Sequence, residues 1–478
     1  MGDGPGRKKT EANRTAKDPA REAAFRILLS YERGGGFLSD LTKEVLEECG
    51  GLKPEDRAFI RRLTALAVSG RIRLDAVLGR ISSTPVRKMK PAIRVILRMG
   101  LSQILFMDSV PGFAAANESV SLAAGHGFGA LTGFVNAILR RAVREKDEII
   151  TFLQTTDDLS VRFSLPPFIL SLWMSQYGTS TAEAAARAAD REPVITFRLR
   201  RGGEALFPDA LKGRYLDYAR RVSSPGDIRL LKGYAEGLFT VQDESSMLVA
   251  EAAGIHGGEK ILDICAAPGG KSLHLADKLA EACRGERESE GERAGNILAL
   301  DLTMEKVQRI RENAKRLGTE ALVTAEVSDA TVYRADLEDR FDVVICDLPC
   351  SGLGVLAKKP DIRDHVSAES IAELAALQRS ILKNAVSYVR PGGVLIYSTC
   401  TVNRQENDEN AEFLWKKLGM EPEPLAPYLP QPLREEMEKG GRGDDFSLQL
   451  FPDEGGTDGF FISRFRRKAH CGGQPSGL

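Results

Sequence analysis

Lys260-Ile-Leu-Asp263-Ile-Cys265-Ala266-Ala267-Pro268-Gly269-Gly270-Lys271-Ser272 runs from a short apolar segment through a tight turn into a helical pattern. Gly269 and Gly270 let the backbone approach a ligand closely and open a helix whose N-terminus favours polar or anionic groups. Two familiar nucleotide motifs do not fit this turn. A P-loop needs a glycine five residues before the Gly-Lys pair, where Cys265 stands, and a dinucleotide fingerprint needs G-x-G-x-x-G. Gly125-His-Gly127-Phe-Gly129 comes closer to the latter but sits among helical patterns with no strand before it, and reads as a loop.

Downstream, apolar runs alternate with helical patterns: NILALD, ALVTAEVSD, FDVVICDLP, GGVLIYSTC and FFISRFRR. This is the rhythm of a doubly wound α/β domain, a parallel sheet with helices on both faces, over residues 241–467. The charged stretch 281–295 reads as an exposed loop insertion. The second strand ends in Asp301, placed for ribose hydroxyls, and the third in Ser328-Asp329-Ala330, placed for an adenine amino group. One acid at a strand end is usually a helix cap, but a succession of them suggests a pocket for an adenosine cofactor without pyrophosphate. The fourth strand ends in Asp347-Leu-Pro-Cys350-Ser and the fifth in Ser398-Thr-Cys400-Thr401. Cysteines 49, 265 and 346 read singly as small hydrophobes, and Cys283 and Cys471 lie in polar segments. Cys350 and Cys400 differ: each follows the last apolar residue of its strand and has Ser or Thr beside it.

Upstream, residues 19–150 carry helical periodicity, as where Ala23, Ala24, Ile27, Leu28 and Tyr31 share one face. PEDRAFIRRLTALAVSGRIRLDAVLGRI, KPAIRVILRMGLSQILFM and FVNAILRRAVREKDEII repeat the pattern. Residues 151–240 read as a small α+β connector, 1–18 as a disordered lead-in and 468–478 as a flexible tail. From Arg57 to Arg98 eleven Lys or Arg face one acid, Asp75. Such a run is either a solvated face balanced by nearby acids or a phosphate-binding surface. Over all 478 residues, 66 basic residues nearly cancel 67 acidic ones, so nucleic-acid affinity must be local. With 42% hydrophobic and 28% charged residues the composition is globular, and no run is long enough to span a membrane. Seven cysteines without C-x-x-C suggest neither a disulfide framework nor a metal site. The expectation is a cytoplasmic protein with free thiols.

Two thiols and a carboxylate at one sheet edge suit a specific chemistry. C5 of cytosine is a poor nucleophile until a thiolate adds to C6. A free thiol is only slightly ionised at neutral pH, and a nearby Lys271 would raise that fraction. Asp347, if protonated, would donate to N3 of the base, and the second thiol would assist release.

At these residues the sequence resembles the RsmB (Sun/Fmu) family of 16S ribosomal RNA cytosine C5-methyltransferases. DICAAPGGK, DLPCSGLG, KKPDIR, STCT and GTDGFFISRF carry the resemblance, and the helical segments look like the NusB-type RNA-binding domain of that family. The resemblance spans about residues 19–467 and implies S-adenosyl-L-methionine as cofactor and 16S ribosomal RNA as partner, acted on by a monomer. It further implies Cys400 as nucleophile, Cys350 as the thiol assisting release, Asp347 holding the base and Lys271 beside it. Cofactor contacts would fall on Cys265, Ala266, Ala267, Pro268, Gly269, Gly270 and Lys271, and on Asp301, Asp329 and Asp347. Leu348 stands where Ala is common, Thr401 where Ser is common. Rival readings are the same chemistry on tRNA or another rRNA site, and a non-catalytic assembly factor.

Overall fold

The computed structural model describes residues 18–223, 225–285, 295–453 and 456–469. Its contacts divide the chain into two compact units between Ser164 and Leu165.

The first unit is helical: α1 (Pro19–Glu32), α2 (Leu38–Glu48), α3 (Pro54–Ser69), α4 (Arg71–Ile81), α5 (Pro91–Phe106), α6 (Gly112–Gly125), α7 (Thr132–Arg144), α8 (Lys146–Thr155) and α9 (Leu159–Phe163). Asp18 starts α1 by accepting from the amides of Ala20 and Arg21, with Pro19 at the first helical position. Ala23, Ala24, Ile27 and Leu28 are buried as their spacing requires, whereas Tyr31 is half-buried. Helix α5 is buried on nearly every face, which makes it the central helix. A Cβ at Gly100 would lie 2.7 Å from Leu139 of α7, so the glycine is what lets these helices approach. The periodic segment 54–81 forms two helices that meet at Gly70, and α7 and α8 meet at Glu145.

The sequence placed the end of this domain at 150; the structure carries it to Ser164. The physical reason is a clasp: Ile72 donates its amide to Ser164 Oγ at 3.2 Å, and Arg73 donates to the Arg162 carbonyl at 2.9 Å. Part of the basic run is also internal. Arg98 is 7% exposed, bonded to Asp75 at 2.7 Å and Glu32 at 2.8 Å, and Arg94 shares Glu32. Arg61, Arg80, Arg87, Lys88 and Lys90 are exposed.

The second unit opens with α10 (Pro167–Tyr177) and α11 (Thr179–Ala189), then β1 (Ile195–Leu199), β2 (Leu211–Lys212), β3 (Ala219–Val222) and β4 (Phe239–Val241), an antiparallel sheet ordered β2-β3-β1-β4. These residues are the expected connector, but they belong to the same compact unit as the catalytic sheet. Trp173 Nε1 donates to the Val402 carbonyl at 3.0 Å, and Arg198 pairs with Asp277 at 2.5 Å.

After α12 (Glu244–Ala253) come β5 (Lys260–Asp263), α13 (Gly270–Gly285), β6 (Asn296–Asp301), α14 (Met304–Leu317), β7 (Val323–Val327) and β8 (Phe341–Asp347). The chain continues through α15 (Ile362–His365), α16 (Ala368–Tyr388), β9 (Val389–Thr399), α17 (Asp408–Lys416), β10 (Glu421–Pro422), α18 (Gln431–Lys439), β11 (Ser447–Leu450) and β12 (Phe460–Arg466). The sheet order is β10-β12-β9-β8-β5-β6-β7, with β11 beside β12. Strands β5 to β9 are parallel. FFISRFRR, expected to continue the parallel rhythm, runs antiparallel to β9, so the sheet is mixed. It does so because β11 and β12 form a hairpin rather than a helical crossover. Helices α12–α14 cover one face and α16–α17 the other. Strand order reverses at β5 and β8, the place where open α/β sheets hold ligands. Of the expected loop 281–295, residues 281–285 continue α13 and 286–294 lie outside the described residues, as do 1–17 and 470–478.

Candidate active site

Everything chemical converges beyond the carboxyl ends of β5, β8 and β9. The turn after β5 is tied down from three directions: Ala266 donates to the Leu300 carbonyl at 2.8 Å, Ala267 donates to Asp301 Oδ2 at 2.9 Å, and Asn313 donates to the Pro268 carbonyl at 3.0 Å. Gly269 takes φ +103°, a conformation that favours glycine, and a Cβ at Gly270 would meet open space.

Asp301 is 6% exposed and also accepts from the Leu302 amide at 2.8 Å and Lys306 at 3.0 Å. It is not a helix cap, because Thr303 caps α14. Leu302 and Met304 stand exposed beside it. Asp329 ends the adjacent strand region, where Ser328 bonds the Asp301 carbonyl at 2.9 Å. It is exposed, and one of its oxygens holds Thr331 through both amide and hydroxyl, which keeps its carboxyl below the usual range. The local turn accounts for its position.

Asp263 is a further candidate that the sequence-level set of site residues lacks: like Asp301 and Asp347 it is an acid at a strand end, the last residue of β5. It is fully buried, accepts from Ser272 Oγ at 2.6 Å, and its second oxygen has no partner. Burial pushes its carboxyl up to about 6. An open glycine turn, an unsatisfied buried carboxylate and Asp301 beside apolar side chains fit a cationic adenosyl cofactor. Cys265 is half-buried among carboxylates, and burial pushes its thiol up, so it packs as a neutral group.

Lys271 Nζ lies 2.6 Å from Asp347 Oδ2 and 5.3 Å from the centre of the Phe460 ring. Burial opposes its charge, but Asp347 outweighs burial and holds the ammonium above its ordinary pKa. Ser398 Oγ donates to the other Asp347 oxygen at 2.8 Å. Both Asp347 oxygens therefore accept hydrogen bonds, an arrangement for a carboxylate rather than the protonated donor expected from sequence. Asp347 and Ser398 are register partners in β8 and β9, so the chain leaving each strand brings Cys350 and Cys400 together, their sulfurs 3.4 Å apart. The thiols are not equivalent. The hydrogen bond shared with Cys350, with help from Lys271 and Lys359, draws Cys400 below the ordinary thiol value. The hydrogen bond shared with Cys400, burial and the charges of Cys400 and Glu406 push Cys350 well above it.

The fold is that of a Rossmann-like methyltransferase. The crystal structure of PH0851 superposes with a TM-score of 0.71 at 21% identity, covering 95% of this chain and 99% of that one. NSun6 from Pyrococcus horikoshii with SFG gives 0.50 at 22% identity over 63% of this chain and 98% of its own.

Family follows from sequence. The model for 16S rRNA methyltransferase RsmB/F matches residues 252–466, and the NusB family model matches residues 18–144. A probable ribosomal RNA small subunit methyltransferase B from Bacillus subtilis (strain 168) is 32% identical over 467 residues, 95% of this chain and 99% of the relative. Its counterpart from Synechocystis is 29% identical over 464 residues, 94% of this chain and 99% of the relative. The chain belongs to the RsmB/F family of 16S rRNA methyltransferases and carries an N-terminal NusB domain. Among the described residues no cluster suited to a metal ion is present, and no helix is long and apolar enough to cross a membrane.

Proposed function

We propose that this protein uses S-adenosylmethionine to methylate C5 of a cytosine in small-subunit ribosomal RNA, through a covalent Cys400 adduct at C6. The observation that carries the reading is the pair of unequal thiols at 3.4 Å beside the Lys271–Asp347 ion pair, at the ligand-binding edge of the sheet. The family supports the rRNA substrate, and the NusB domain supports RNA binding. When bound, S-adenosylmethionine supplies an electrophilic methyl group; the turn 265–271 with Asp263 and Asp301 would hold it.

The Cys400 thiolate forms a bond to C6, which moves an electron pair towards N3 and C5 and makes C5 nucleophilic. Lys271, charged and paired with Asp347, faces the negative charge that develops on the ring, while Asp347 accepts from the exocyclic amino group. After methylation the Cys350 thiol passes its proton to the departing Cys400 sulfur and, as thiolate, takes the C5 proton, so the C5–H electron pair re-forms the C5–C6 double bond as the C6–S bond breaks. The test is bisulfite sequencing of small-subunit rRNA incubated with the protein and S-adenosylmethionine. One protected cytosine is the expected result. Labelled methyl groups on RNA with no protected cytosine would remove the C5 reading, and protection only on tRNA would move the substrate.

A further inference from the structure

We propose that Glu406 is the positioning residue that keeps the two thiols unequal, holding Cys350 as the protonated partner and leaving Cys400 as the nucleophile; the roles rest on the two-thiol reading above. Glu406 is completely buried. Its carboxylate accepts from the Ser351 amide at 2.8 Å, Ser351 Oγ at 2.5 Å, Gln378 Nε2 at 3.1 Å and Asn403 Nδ2 at 3.0 Å. None of these donors is a cation.

This one carboxylate reaches both thiol loops. Gln378 also donates to the Pro349 carbonyl at 2.8 Å, so the residues on either side of Cys350 are both held. The Ser351 and Thr401 hydroxyls lie 2.7 Å apart, and the Leu353 amide reaches Thr401 Oγ1 at 3.2 Å, which extends the grip to the residue after Cys400. Behind them, Asn410 donates to the Glu406 carbonyl at 3.1 Å. The 3.4 Å separation of the sulfurs is thus set from one side of the pair.

Burial pushes the Glu406 carboxyl above its usual range, and the donors from Ser351, Asn403 and Gln378 oppose this by favouring the charged form. A buried carboxylate without a counter-ion is a poor device for stability, since an amide of the same shape could occupy the position without burying a charge. The charge has another effect. The largest influences on Cys350 are Cys400, burial and the charge of Glu406, whereas those on Cys400 include Lys271 and Lys359 as well as Asp347. A negative charge on the Cys350 side makes loss of the Cys350 proton unfavourable. The single hydrogen between the sulfurs therefore stays on Cys350 and points at Cys400.

The test is the initial rate of iodoacetamide alkylation at each cysteine of the full-length protein between pH 6 and 9, resolved by mass spectrometry, for wild type, Glu406→Gln, Glu406→Asp and Ser351→Ala. Wild type should favour Cys400. Glu406→Gln should narrow that preference about tenfold, the effect of roughly one pKa unit. Glu406→Asp and Ser351→Ala, which retain the charge, should keep the preference even if their melting temperatures fall. A folded Glu406→Gln with the wild-type preference overturns the proposal. If Glu406→Gln does not fold, loss of the preference in Glu406→Asp overturns it instead, and retention supports it. RNA is absent throughout, so a wild-type protein that favours Cys400 yet methylates nothing would refute the function and leave the thiol assignment standing.

Discussion

In the helical unit Arg98 lies between Asp75 and Glu32 at 2.7 and 2.8 Å, and Arg94 grips the same Glu32. In the catalytic unit Asp263 and Glu406 are just as deeply buried, but their hydrogen-bond partners are hydroxyl, amide and backbone groups. Charge with counter-charge closes a structural joint between helices. Charge without it leaves an unbalanced potential, and these two carboxylates stand beside the cofactor turn, at the end of β5, and beneath the thiol loops, beyond the end of β9.

The contrast breaks most visibly at Arg98. Arg98→Met leaves two carboxylates in a joint built around a cation, and should lower the stability of the first unit by about 3–5 kcal/mol in urea unfolding. A loss below about 1 kcal/mol would show the joint to be ornamental. Asp263 should behave in the opposite sense. Its folded-state value of about 6 lies above its ordinary 3.8, so its contribution to stability is complete below about pH 4 and is lost as pH rises through 6. That loss amounts to about 3 kcal/mol. Asp263→Asn should flatten the fall in stability between pH 4 and 7; a profile unchanged from wild type would mean that Asp263 is charged and compensated after all.

Asp301, buried but bonded to Lys306 and two amides, lies between the extremes. Asp301→Ala should weaken cofactor binding by roughly 1–3 kcal/mol in calorimetry and leave RNA affinity alone. Unchanged cofactor binding would make it a brace for the Ala267 turn and nothing more. The smallest effect belongs to the exposed cations. Arg87→Ala with Lys88→Ala should reduce the slope of log K for RNA against log salt by about 1.5. No change in slope would confine phosphate binding to other residues.

These regions were unequally legible in the sequence. Helices followed from apolar spacing, and Gly269, Asp301, Asp347, Cys350 and Cys400 from their positions after apolar runs, because strand ends in such sheets face the ligand. The antiparallel β12 was not legible, since a strand's direction depends on how the chain returns to it and not on its own residues. Arg98 looked like a surface cation because its partner Glu32 lies 66 residues away. Glu406 gave no signal at all: among the polar residues of TVNRQEND nothing distinguishes it until the fold places it beneath both thiol loops.

The most direct measurement is a denaturing gel of Cys400→Ala and Cys350→Ala, each incubated with substrate RNA and S-adenosylmethionine. Removing Cys400 should abolish both methyl transfer and any protein–RNA adduct, because no thiolate remains to activate C5. Removing Cys350 should permit attack and methylation but stall release, leaving a covalent complex with methylated RNA. A trapped complex with Cys400→Ala and none with Cys350→Ala would reverse the two roles, and methylation by both variants with no trapped complex in either would contradict the thiol mechanism.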